Sequence, residues 1–133
     1  EPVQNRIEKL PFMDWKQLPA VIAGLDINLM PLENTLFHWC KSENKWTEAA
    51  LVKVPSVMSR NCEMEYVVEN GKDGWMCTTK EEWVNALEAL VTDEKARKAM
   101  GEAAHQKVME HYLTVNTGKD AMEELLCSES YTK

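Results

Sequence analysis

Between Asp26 and Arg60 the chain spells out one unit that leaves few folds open. Asp26-Ile-Asn-Leu-Met-Pro-Leu32 reads as a strand, and Glu33 to Cys40 as a polar loop unusually rich in aromatics. A helix is predicted over Lys41–Lys53 and a second, β-branched strand over Val54–Arg60. A strand, a crossover helix and a strand make a parallel pair, since parallel strands need a long connection. Ile27, Leu29, Met30 and Leu32 are apolar without strict alternation, as expected of a parallel strand covered on both faces. Ligands of open α/β sheets gather where strands end and helices begin. Here that edge carries Ser42, Lys45 and Glu48.

The flanking sequence extends the same architecture. Arg6–Leu10 is a short strand candidate, and Asp14 a plausible cap for a helix running to Gly24. Leu18, Val21, Ile22 and Leu25 give that helix one apolar face, with Pro19 tolerated only in its first turn. Downstream, Glu63–Glu69 reads as a short helix, Asn70-Gly71 and Asp73-Gly74 as turns, and Trp75–Cys77 as a strand. Thr79-Lys-Glu-Glu82 is a capping box for a helix whose apolar face is Trp83, Ala86, Leu87, Leu90 and Val91. Asp93 caps the next helix, Glu94–His111. A break over Tyr112–Gly118 and a last helix, Lys119–Cys127, precede a frayed end at Ser128–Lys133. Three or four strands are few for a free-standing doubly wound sheet. The expected class is therefore α/β: an incomplete Rossmann-like three-layer domain with a short parallel sheet and C-terminal helices. Residues 1–133 are expected to form one domain, with a helical tail from residue 119.

Composition narrows the function. The net charge of −7 argues against a nucleic-acid partner, because phosphate neutralisation needs a basic surface. It still allows a phosphorylated small ligand held by helix-terminal amides and a few local cations. No apolar run approaches the ~18 residues of a membrane helix, and Glu1-Pro2 does not open a signal peptide. Cys40, Cys62, Cys77 and Cys127 contain no C-x-x-C pair, which points to reduced thiols in a cytoplasmic protein.

On the predicted helix, Ser42, Lys45 and Glu48 recur every three residues, with Ser42 as its cap. An anion can approach the open amides and Lys45, while Glu48 can accept from the hydroxyls of a polyol. On spacing alone, a solvated Lys–Glu pair worth ~0.2–0.5 kcal/mol is the better fit. Glu102-Ala-Ala-His105 has di-iron spacing without the second copy such a site needs, so it reads as a solvated pair and no metal is expected. Trp15, Trp46, Trp75 and Trp83 read as core, and Trp39 as a loop aromatic.

The run Lys41-Ser-Glu-Asn-Lys-Trp-Thr-Glu-Ala-Ala-Leu-Val-Lys-Val-Pro-Ser-Val-Met-Ser59 resembles the donor-binding motif of retaining, GT-B-fold glycosyltransferases of the group 1 family. It is similar in particular to a bacterial branch written K-S-x-x-K-x-x-E followed by P-x-V-x-S. Glu65 to Trp75 resembles that family's glycine-turn segment, and Pro19 to Leu32 its preceding helix and strand. Together the likeness covers Arg6 to Thr117.

The resemblance implies a donor site for a nucleoside diphosphate sugar. Ser42, Glu43 and Asn44 match the helix start whose amides face the diphosphate, Lys45 stands where a cation assists, and Glu48 matches the glutamate that holds the ribose. The first glutamate of the family's pair is replaced by Cys40, which puts the sugar contact in doubt and leaves the catalytic residues unknown. His38 and Trp39, just ahead of the helix, become candidate sugar or acceptor contacts, Trp39 as a stacking platform. The resemblance implies no cofactor beyond the sugar nucleotide and no metal. It also implies an acceptor domain N-terminal to this portion, peripheral membrane contact in the longer enzyme, and self-association through an exposed sheet edge. The acceptor would be of the kind of a cell-surface glycan. The rival is a non-catalytic interaction or regulatory module that keeps the fold. A receiver-like domain fits less well, lacking the acidic cluster after its first strand.

Overall fold

The computed structural model describes residues 3–128. Three short parallel strands form the sheet: β1 (Asn28–Met30), β2 (Ser56–Ser59) and β3 (Trp75–Cys77), in that spatial order. Asn28 pairs with Ser56 and Met30 with Met58; Met58 pairs in turn with Met76 and Ser59 with Cys77. Successive side chains of a strand point to opposite faces, so this register divides the interior in two. Met30, Met58 and Met76 form a row across one face, packed with Trp46, Met64, Ala104 and Val108. Val57 and Cys77 face the other side, against Ala86, Leu90 and Met100.

The helices supply the outer layers. α1 (Leu18–Ala23) packs on α3 (Asn44–Leu51), and α2 (Leu36–Trp39) is a single turn between β1 and α3. α4 (Cys62–Val67) joins the methionine side through Met64 and Val67, while α5 (Lys80–Thr92) covers β2 and β3 from the other. α6 (Glu94–His111) serves both sides, contributing Met100 to one cluster and Ala104 and Val108 to the other. Where it crosses, Gly101 lies against the Lys53 carbonyl. α7 (Thr114–Ser128) follows α6. The fold is thus the expected α/β, with helices on both faces of a short parallel sheet.

The local signals behave as capping chemistry requires. Thr79 Oγ1 accepts from the Glu82 amide, and Glu82 Oε2 accepts from the Thr79 amide at 3.0 Å. Asp93 Oδ1 accepts from the amides of Lys95 and Ala96 to start α6. Pro19 sits in the first turn of α1 and Gly24 at its exit. The buried polar groups are also engaged. Asp73 accepts from the Glu69 amide and from Lys107 Nζ, both at 2.8 Å, and its carbonyl accepts from Trp46 Nε1 at 2.9 Å.

Several expectations need correction. Arg6–Leu10 is not a strand: a 3-10 turn covers Val3–Arg6, and residues 7–12 have no regular structure. Asp14 caps no helix but accepts from the Lys16 amide, since α1 begins only at Leu18. β1 is not covered on both faces. Leu29 is 50% exposed because α5 packs over β2 and β3 and leaves the β1 end of that face open. Trp15 is no core residue at 75% exposure. The predicted break over Tyr112–Gly118 shrinks to two residues, because α7 starts at Thr114. The end after Ser128 lies outside the described residues.

Candidate functional site

The C-terminal ends of all three strands open on one side of the molecule, and two features stand there: the start of α3 and a cavity. α3 is held by its buried face. Trp46 and Ala49 are wholly buried and Ala50 nearly so, and Trp46 meets Tyr112 edge-on at 5.9 Å between ring centroids. Asn28 Nδ2 reaches from β1 to the Lys45 carbonyl at 3.4 Å and to Ser56 Oγ at 2.9 Å. With Trp46 turned inward, helical geometry sends Lys45 and Glu48 outward, and both are exposed. They form no ion pair with each other or with another side chain among the described residues.

Ser42 does not cap α3. The helix starts at Asn44, one residue later than a Ser42 cap requires and three later than the predicted Lys41, with Glu43 in the cap position at φ −73° and no side-chain bond to the first turn. Glu43 contributes only its carbonyl, which accepts from the Thr47 amide at 3.0 Å. The first-turn amides of an uncapped helix are unsatisfied donors carrying the positive end of its dipole. Ser42 lies in the approach to α3, Glu43 at its cap position, Asn44 and Lys45 in its first turn and Glu48 one turn on.

The predicted loop Glu33–Cys40 is partly helical. Thr35 caps α2, its Oγ1 accepting from the His38 amide at 3.3 Å and lying 2.9 Å from His38 Nδ1. Trp39 donates from Nε1 to Asn34 Oδ1 at 2.7 Å, which fixes its indole. Ser59, at the end of β2, pins the neighbouring loop by accepting from the Leu32 amide and donating to the Leu32 carbonyl.

Between these loops lies an open cavity of about 480 Å³. His38 and Trp39 line it, as do Glu33, Asn34, Arg60 and Glu65, whereas none of Ser42–Glu48 does. Arg60 is ion-paired to Glu65 at 3.1 Å. The sequence reading missed Ser59, Arg60, Asn61, Glu65 and Thr78 as site residues. The signal for most of them was present: the rule that drew attention to the end of β1 applies equally to the ends of β2 and β3.

The titratable groups limit the chemistry. Burial, reinforced by the charge of Glu82, pushes the Cys77 thiol above its ordinary value, so it stays protonated and is a poor nucleophile. Burial, then Glu43 and Asp73, raise the Tyr112 phenol in the same way. Cys40, Cys62 and Cys77 are free thiols. No cluster of three His, Cys, Asp or Glu side chains able to hold a metal occurs among the described residues. Glu102 is tied to Lys53 at 2.8 Å and His105 Nδ1 lies 3.1 Å from the Ala50 carbonyl, so this pair stitches α6 to α3. No helix of the described residues is long and apolar enough to cross a membrane.

Comparison with known proteins places this geometry in context. A family model described as glycosyl transferase-like matches residues 3–123. The C-terminal domain of the glycosyl transferase group 1 family protein LpcC from Francisella tularensis is similar in structure, with a TM-score of 0.58 and 18% identity. That likeness covers 77% of this chain and 52% of that one. HepE from Anabaena, crystallised in complex with UDP and glucose, is similar with a TM-score of 0.63 and 17% identity, over 80% of this chain and 29% of its own. The chain thus spans about half of the first structure and under a third of the second. No curated protein matches the sequence.

Proposed function

This chain belongs to the glycosyl transferase-like family, and on that premise we propose that it forms the donor half-site of an enzyme that moves a sugar from a nucleoside diphosphate sugar to an acceptor such as a cell-surface glycan. The observation that carries the reading is the uncapped start of α3 at the strand ends, with Lys45 and Glu48 exposed and unpaired among the described residues on that helix. The amides of the first turn and Lys45 would receive the diphosphate and stabilise the charge that builds on it as the glycosidic bond breaks. Glu48, one turn on, would accept from the ribose hydroxyls, and His38 and Trp39 would meet the sugar or the acceptor. That HepE was crystallised with UDP and glucose supports a nucleotide and a sugar as the ligands. Retention at the anomeric carbon, a hexosyl donor, independence of metal and a cytoplasmic setting belong to the same proposal. So do an acceptor-binding domain of the longer enzyme, its peripheral membrane contact, and self-association through the open edge of β1.

Calorimetric titration of UDP and GDP into the chain and into its Glu48→Ala variant tests the reading. A carboxylate accepting from hydroxyls contributes about 1.5–3 kcal/mol, so Kd should rise roughly ten- to hundredfold. An unchanged Kd would count against Glu48 as the ribose ligand. Cys40, standing where the wider family has a glutamate, favours a second reading, a binding module without catalysis. Nucleotide binding with no transfer by the longer enzyme would select it.

A further inference from the structure

The cavity at the strand ends has a chemical bias of its own. Its polar groups are partly spoken for: Ser59 is engaged in both directions with Leu32, and Asn34 Oδ1 by the Trp39 indole. Asn61 Oδ1 accepts from the Met64 amide at 2.9 Å. Donors remain as well, among them Asn34 Nδ2, Trp83 Nε1 and the rest of the Arg60 guanidinium, so what sets the lining apart is its charge. The Glu33 carboxylate makes no hydrogen bond or ion pair among the described residues, and the Glu65 carboxylate keeps an oxygen beyond the one held by Arg60. Arg60, the guanidinium in the lining, is already neutralised by that pair. Two carboxylates to one guanidinium leave the cavity electronegative. Trp39, its indole fixed, offers an aromatic wall, and aromatic faces take apolar C–H surfaces and cations. The volume of about 480 Å³ lies within the ~300–1,000 Å³ usual for small-molecule pockets.

We propose that this cavity is a subsite for an uncharged or amine-bearing sugar ring, with Glu33, the carboxylate in the lining that no cation among the described residues offsets, selecting against carboxylated sugars. The ligand must bring hydroxyl or ammonium donors to the free carboxylates, lay one face on Trp39, and carry no negative charge. The inference rests on the donor reading in taking the ligand to be a sugar. Either the glycosyl group of the donor or a ring of the acceptor has this chemistry.

The test uses the full chain. UDP, UDP-glucose and UDP-glucuronate are titrated calorimetrically, with GDP and GDP-mannose alongside, and methyl glucoside and methyl glucuronide are followed by saturation-transfer NMR. A like charge about 5 Å from Glu33, at effective dielectrics of ~20–80, weakens binding at least severalfold. UDP-glucose should therefore bind about tenfold more tightly than UDP-glucuronate, and Glu33→Gln should narrow the gap to under about threefold. Trp39→Ala should weaken the glucose ligands and leave UDP unchanged. Equal binding of the glucose and glucuronate ligands would overturn the subsite and leave the donor helix standing. Glucoside binding that discriminates through Glu33, with no nucleotide bound, would support the subsite as acceptor-side and refute the donor helix. Binding of none of them would overturn both.

Discussion

Replacing Gly101 by alanine sets two effects against each other whose sizes decide the outcome. In an isolated helix the change is favourable by about 1 kcal/mol, because glycine is the poorer helix former. In this fold an added Cβ would stand 2.1 Å from the Lys53 carbonyl oxygen and 2.9 Å from its carbon. The obstacle is backbone rather than the tip of a flexible side chain. Lys53 itself turns through φ +62°, so its carbonyl belongs to a tight exit from α3. Relief requires α6 to retreat by about an ångström, which opens the packing of Met100 and Ala104 on either side of the crossing. A gap of that size forfeits a quarter to a half of each contact's attraction. Overpacking typically costs 1–3 kcal/mol, and a clash with backbone belongs at or above the top of that range. Subtracting the propensity gain leaves a net loss of about 2–3 kcal/mol. With an unfolding entropy of about 2.1 cal/mol/K per residue over 133 residues, the Tm should fall by roughly 7–11 °C. Thermal denaturation followed by circular dichroism measures it. Gly118→Ala is the control: nothing lies within 4 Å of a Cβ there, so the propensity gain should appear and the Tm should hold or rise. A Gly101→Ala protein as stable as the parent would refute the crossing geometry.

Three further outcomes are expected. Asp73→Ala removes the acceptor of the Glu69 amide and the partner of Lys107, and should cost about 3 kcal/mol, read as a lower urea midpoint. Trp46→Phe deletes the indole bond to the Asp73 carbonyl and should cost about 1–3 kcal/mol in the same assay, with nucleotide binding weakened if α3 shifts. The third concerns acid. The Thr78 and then the Thr79 amide hold the Glu82 carboxyl below its ordinary value. A group depressed in the folded state stabilises above its unfolded value, about 4.3 for glutamate, and that contribution is lost as pH falls through the folded value. Stability should therefore drop below about pH 4.3, and less steeply in Glu82→Gln; identical acid limbs would disprove the role.

Much of the fold was written locally. Thr79 and Glu82 cap one another within four residues, and Asp93 binds amides two and three residues away, so α5 and α6 were legible as printed. The short strand Trp75–Cys77 was also found, framed by its turn dipeptides and the capping box. What failed depended on distant partners. Arg6–Leu10 has strand-like residues but pairs with no strand among the described residues. Ser42 is a good cap by type, yet α3 takes its register from Trp46, whose burial depends on Tyr112, Asp73 and the methionine row, and that register puts Glu43 in the cap position.

The same division runs through the site. Sequence alone determined that a parallel crossover unit carries Lys45 and Glu48 on its helix, because helical spacing and strand composition are properties of neighbours along the chain. The cavity was decided only by the tertiary structure. Glu33, Trp39, Arg60, Glu65 and Thr78 come from three separate strand–helix junctions, and parallel pairing of β1, β2 and β3 brings those junctions to one edge. No local signal encodes that convergence, since it follows from the register of strands far apart in the chain.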